Sequence, residues 1–184
     1  RVENAHHDRS PDIIPTKTLI PERRDALLHR PRIVNSLHEH VDLALTLVSA
    51  PAGYGKTSLL VDFSHDAPFP ACWLSLDESE RDLHTFVEYL IAALRRRFPD
   101  FGEQTRHALS VNIDPSRRPA AIAGVIVQDL VEHVPEFFAL VLDDYHTVDA
   151  SHEVNQLVEA LLKHRPDAMH LIVASRTVPP QLPI

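Results

Sequence analysis

The sequence predicts an α/β fold, a parallel sheet buried between two helical layers. Two observations predict it. Runs of strand length at 43–49, 71–76, 137–143 and 169–175 are apolar at consecutive positions, so both faces of each strand are expected to be covered. Stretches of helical periodicity lie between these runs, and strands that alternate with helices assemble as parallel sheets. A third observation bounds the architecture: 184 residues at 44% hydrophobic and 24% charged fit one globular domain with a sizeable core.

In chain order, residues 1–15 are polar, carry Pro11 and Pro15, and read as a loose arm. Pro21 and Pro31 bracket a segment containing Arg23, Arg24, Arg30 and Arg32. A short helix is expected over 31–40, because proline suits a first turn. The first strand, 43–49, leads through a turn at 50–55 into a helix over 56–64. Pro68 and Pro70 separate that helix from the strand at 71–76. The clearest helix is 82–97, where Leu83, Phe86, Val87, Leu90, Ile91 and Leu94 form one stripe. Pro99 ends it, and residues 100–117 leave room for a short helix. A helix over 119–134 opens near Pro119 and is followed by Pro135. Ser151 is the expected N-cap of a helix to 164. The prolines of 177–184 read as the start of a linker, so the domain itself is placed at 16–178.

Residues 49–58 read Ser-Ala-Pro-Ala-Gly-Tyr-Gly-Lys-Thr-Ser. From Ala50 this is the Walker A pattern of a P-loop, with alanine at the usual first glycine. Its chemistry explains the residue types. After the strand the backbone must wrap so that successive N–H groups face an anion, and glycine permits both the wrap and a close approach. The following helix adds free N–H groups and a positive dipole end. Lys56 reaches the β- and γ-phosphates, and the Thr57 hydroxyl can ligate Mg²⁺. The backbone of Ala52, Gly53, Tyr54, Gly55 and Ser58 completes the cradle. The chain has only four glycines, and two stand in this loop. Tyr54 packs either over the loop or against the nucleotide.

Six apolar residues precede Asp143 and Asp144. An acid at the carboxyl end of a buried strand matches a Walker B acid, which holds the magnesium shell beside the phosphates. Asp144 either orients the attacking water or caps the next turn. Arg176, in Ala-Ser-Arg after the last strand, either senses the γ-phosphate or sits on the surface. Cys72, Trp73 and Met169 are read as core.

Charge and composition exclude other classes. The net charge of -8 disfavours a duplex-binding face, so this segment is not expected to touch DNA. The basic run Arg95, Arg96 and Arg97 is read as a solvated helix end. Thirteen histidines are scattered without metal-ligand spacing. One cysteine forbids an internal disulfide and suits a cytoplasmic protein. No apolar run approaches the roughly 18 residues of a membrane helix, and no signal peptide is visible. The chain starts at Arg1 rather than methionine and is expected to be a piece of a longer protein.

The runs Thr-Leu-Val-Ser-Ala-Pro-Ala-Gly-Tyr-Gly-Lys-Thr-Ser (46–58), Trp-Leu-Ser-Leu-Asp-Glu (73–78), Tyr-Leu-Ile-Ala-Ala-Leu (89–94), Val-Leu-Asp-Asp-Tyr-His (141–146) and Leu-Ile-Val-Ala-Ser-Arg (171–176) resemble the ATPase domain of MalT-like regulators. These are large ATP-binding LuxR-type transcription activators of the STAND class. The resemblance covers about residues 15 to 180, and Ala50 in place of glycine is usual there. It implies an ASCE-type P-loop fold, with 169–175 as the strand inserted between the Walker A and Walker B strands. It implies an adenine site that includes Arg30 and Arg32. It further implies a slow ATPase acting as a switch between ADP and ATP states, a parent protein that self-associates in the ATP state, and a separate C-terminal domain that binds DNA. Two departures stand out. Ser-Glu-Arg-Asp occupies 79–82 where the family has an Asp-Asn-Asp-like run, and Val178 stands near a frequent aspartate.

Two other readings of the loop stay open. One is a small P-loop kinase, against which no Gly-rich lid segment is visible. The other is a module that holds nucleotide without turnover. The absence of an Asn-Lys-x-Asp guanine-reading motif favours ATP over GTP.

Overall fold

A computed structural model of the chain describes residues 11–24 and 29–182. Four parallel strands form one sheet: β1 (Leu45–Ser49), β2 (Ala71–Ser75), β3 (Phe138–Asp143) and β4 (Met169–Ser175), in the order β1-β4-β3-β2. The strand latest in sequence thus lies between the phosphate-loop strand and the acid-bearing strand, as expected for an ASCE-type P-loop fold. Among the described residues six α-helices cover the faces: α1 (Pro31–Glu39), α2 (Lys56–Asp66), α3 (Leu83–Arg95), α4 (Glu103–Ser110), α5 (Arg118–His133) and α6 (His152–His164).

The alternation of side chains along each strand sorts the core into two layers. On one face Trp73, Val141 and Ile172 meet Leu60 and Phe63 of α2 and Val34 and Leu37 of α1. On the other, Leu74, Leu140 and Val173 meet the apolar stripes of α3, α5 and α6. Burying each large apolar side chain contributes about 1.5–3 kcal/mol, so the second, larger cluster supplies most of the cohesion. Cys72, Trp73 and Met169 are all buried within these layers, as read from the sequence.

Local chemistry sets the ends of the helices. The Asp82 carboxylate accepts from the Thr85 N–H and caps α3 rather than belonging to it. Ser151 caps α6 through the Val154 N–H. Pro119 sits in the first turn of α5, where its missing N–H costs nothing.

Three differences from the sequence reading concern the ends of the domain and its first strand. Within the expected loose arm of 1–15, residues 11–15 are tied down. Ile14 donates to the Tyr89 hydroxyl of α3, and a 3₁₀ turn begins at Pro15. Residues 1–10 lie outside the described residues. At the other end, Leu182 in the expected linker is buried in the larger core cluster, so apolar contact holds the segment against the domain; residues 183 and 184 lie outside the described residues. Finally, β1 starts two residues later than expected, because Leu43 lies beyond the ladder and is exposed.

Candidate nucleotide site

The loop between β1 and α2 takes its shape from its glycines. Gly53 and Gly55 have φ of +83° and +76°, the left-handed region that side-chain-bearing residues avoid. A Cβ at either would meet nothing within 4 Å, so the requirement is conformational rather than steric. Gly55 caps α2. The first N–H to bond within the helix is that of Leu59, to the Gly55 carbonyl, which leaves the N–H groups of the first turn free to receive an anion.

Lys56 is buried, and its ammonium donates to the carbonyls of Ala50 (2.5 Å) and Pro51 (3.1 Å). The lysine therefore folds back across the loop it follows. Thr57 reaches 86 residues along the chain: its Oγ1 donates to Oδ2 of Asp143 at 2.8 Å. Oδ1 of Asp143 accepts the Asp144 N–H at 3.0 Å. Asp143 is 3% exposed. Burial pushes its pKa above the usual carboxylate value and the neighbouring Asp144 charge adds to this, while the Thr57 hydrogen bond and Lys56 oppose it.

Asp144 occupies the left-handed region at φ +58°, the one described non-glycine residue to do so. Its side chain makes no capping bond and stays about half exposed, so it is not spent on the following turn. Such strained backbone recurs at functional sites. His146, in the same turn, lies 3.8 Å from Asp144 and is mostly buried. Burial lowers its pKa, and the Arg176 charge lowers it further, which favours the neutral imidazole. Arg176 itself is exposed just past the end of β4.

Arg30 joins this group. Together with Gly53, Tyr54, Gly55, Ser58 and Asp62 it lines a hollow of about 170 Å³ beside the loop. Tyr54 stands 61% exposed over it. Ala52 is exposed on the loop's outer turn. Arg32 is not part of this hollow; it lines a separate surface depression on the first turn of α1. A second hollow, of about 240 Å³, lies between the arginine segment and α2, with Thr57, Ser58 and Asp62 on one side and Arg23 and His29 on the other.

The sequence reading missed three residues here. Asp62 receives Arg23 Nε at 3.3 Å and His29 Nδ1 at 3.0 Å, which ties the N-terminal segment to α2. His146 was legible only as the histidine that ends Asp-Asp-Tyr-His. Nothing in the pattern around Asp62 or His29 signals their pairing, because they stand 33 residues apart.

Comparison with known proteins bears on the chain's family. The chain is 32% identical over 172 residues to the HTH-type transcriptional regulator MalT of Serratia proteamaculans, covering 91% of this chain and 18% of that protein. The MalT of Yersinia enterocolitica is 33% identical over 173 residues, with the same coverage of each. This chain is a relative of the MalT-type transcriptional regulators. It spans about 18% of the length of the curated relatives it matches. No protein-family model matches it. A solved structure of C. elegans PCH-2 aligns with 82% of this chain and 39% of that one at 14% identity, with a TM-score of 0.39 that is too low to carry an argument.

Proposed function

We propose that this chain is the nucleotide-switch domain of a MalT-type regulator, holding ATP or ADP with Mg²⁺ and hydrolysing ATP slowly. The observation that carries the reading is the 2.8 Å contact between Thr57 Oγ1 and Asp143 Oδ2. Mg²⁺ takes hard oxygen ligands, and a hydroxyl and a carboxylate are both of that kind. The hydroxyl and the buried carboxylate therefore fit a magnesium ion as neighbouring ligands. Bound there, Mg²⁺ would offset the negative charge of the phosphates.

The chain's own residues supply the rest. The glycine-shaped loop and the first turn of α2 present N–H groups to the phosphates. The Lys56 ammonium, held by two carbonyls, moves to the β- and γ-phosphates when they arrive. Asp144, with a half-exposed carboxylate, orients the attacking water, and Arg176 senses the γ-phosphate. Arg30 and Tyr54 border the hollow where the base and sugar lie, and Arg32 lines the other depression that Arg30 also borders. Nucleotide state then becomes shape, because phosphate contacts hold segments that hydrolysis releases.

On this reading the parent protein works in the cytoplasm, self-associates in its ATP form and binds DNA through another domain. None of the described helices is long and apolar enough to cross a membrane. Single-turnover hydrolysis tests the switch. Slow conversion of bound ATP to ADP and free phosphate is expected, with no phosphate passed to small alcohol or amine acceptors. Phosphorylated acceptor would mean a kinase, and ATP held without conversion would mean a holding module.

A further inference from the structure

The left-handed backbone of Asp144 is one that a side-chain-bearing residue keeps only where its surroundings over-determine it. Two sets of contacts do so. On the inner side, Tyr145 is fully buried, and its hydroxyl donates to Oδ1 of Asn155 in α6 at 2.8 Å. On the outer side, Thr147 closes the turn. Its N–H and its Oγ1–H both donate to the Asp144 carbonyl, at 3.0 Å and 2.9 Å. Thr147 is therefore the residue that holds the Asp144 peptide.

Thr147 is held in turn from a distant part of the chain. Arg81 Nε donates to the Thr147 carbonyl at 2.7 Å, across 66 residues. The contact is returned, because Ser151 Oγ donates to the Arg81 carbonyl at 2.7 Å. Arg81 is thus tied by its side chain and by its main chain to the two ends of 147–151. Its own base is firm. Arg81 ends a 3₁₀ turn, Glu78–Arg81, which Asp77 caps and whose Glu80 is fully buried and paired with Lys17. The Arg81 guanidinium also lies 3.4 Å from Glu78, an exposed pair that adds little. A merely solvated arginine needs no such two-way tie. Arg81 stands within 79–82, where the sequence departs from the run usual in the family, so the resemblance does not supply this contact.

We propose that Arg81 is a positioning residue for hydrolysis: through the Thr147 carbonyl it clamps the turn that aims the Asp144 carboxylate at the attacking water. The proposal rests on the reading of Asp144 given above. The hydrogen bonds and ion pair of the Arg81 side chain go to this turn and to Glu78, not to the phosphate loop. Its removal therefore acts on turnover and not on nucleotide affinity.

The test is single-turnover ATP hydrolysis by the intact 184-residue chain, with nucleotide affinity measured alongside. Arg81→Ala is expected to slow hydrolysis about tenfold, part of the roughly 10²-fold that a positioned acid–base group contributes. Affinity for ATP and ADP is expected to stay unchanged. Arg81→Lys, whose ammonium also donates to a carbonyl, is expected to restore most of the rate. In an Asp144→Ala background, Arg81→Ala is expected to cause no further slowing, because the group it positions is gone. Amide exchange at Thr147 is expected to quicken in Arg81→Ala without any nucleotide present. The Arg81 side chain is about half exposed, so its truncation opens no core cavity. Thr147→Val, which removes one of the two bonds to the Asp144 carbonyl, is expected to slow hydrolysis as well. Unchanged Thr147 exchange in Arg81→Ala, the same slowing by Arg81→Ala in the Asp144→Ala background, or a loss of affinity that accounts for the lost rate would each overturn the proposal. If Asp144→Ala slows turnover and Arg81→Ala does not, the proposal alone falls. If Asp144→Ala has no effect, the reading of Asp144 falls and the proposal with it.

Discussion

Asp143 and Asp144 are adjacent in sequence, and their environments divide the work between them. Asp143 is buried with one oxygen on the Thr57 hydroxyl, while Asp144 projects a half-exposed carboxylate from a left-handed backbone. Asp143→Ala is expected to spare much of the nucleotide affinity and remove its Mg²⁺ dependence, measured by calorimetric titration with and without the ion. Surviving Mg²⁺ dependence would take Asp143 out of the metal site. Asp144→Ala is expected to leave binding intact and slow hydrolysis by about 10²-fold, a usual contribution from a positioned acid–base group; unchanged turnover would return it to a structural role. At this scale the loop, Asp143 and the dipeptide were legible because their chemistry is written in consecutive residues. The Asp62–His29 contact was not, since pairing across the fold leaves no local trace.

Helices and strands were legible where periodicity or prolines mark them, and less so where single side chains decide the ends. Asp82 looks like helix interior by periodicity and becomes the cap of α3 because its carboxylate reaches the Thr85 N–H. The stretch 100–117 stayed ambiguous because α4 buries only a narrow face, Thr105, Ala108 and Leu109. What fixes α4 is a glycine. Gly102 has φ +98°, and a Cβ there would stand 2.6 Å from a methyl carbon of Ile91. Gly102→Ala combines backbone strain with overpacking and is expected to cost about 2–4 kcal/mol in urea unfolding. A cost below about 0.5 kcal/mol would show that the turn relaxes without loss.

For the molecule as a whole, the sequence predicted a parallel sheet between helical layers, and the position of β4 followed from the family resemblance rather than from periodicity. The closure of the domain by its terminal segments was less legible. The N-terminal 3₁₀ turn is held by Lys17, which pairs with Asp77 and Glu80 beyond β2. Hydrogen bonds from Ser79, and then Lys17, hold the Asp77 pKa down at about 2. A depressed carboxylate stabilises the fold above its unfolded value near 3.8, and that stability is lost as pH falls towards 2. Asp77 is largely exposed, so solvent screening holds the effect to about 1 kcal/mol. Asp77→Asn is accordingly expected to flatten the stability profile between pH 4 and pH 2 while changing its slope little above pH 5. An acid limb identical to that of the unaltered chain would remove Asp77 from the closure.

The most direct measurement is titration of this chain with fluorescent ATP and ADP, with and without Mg²⁺, alongside Lys56→Ala. Saturable binding of both nucleotides, tighter ATP binding with Mg²⁺, and loss of affinity in Lys56→Ala are expected. Affinity retained in Lys56→Ala, or no binding of either nucleotide to the unaltered chain, would contradict the assignment of the loop as a phosphate site.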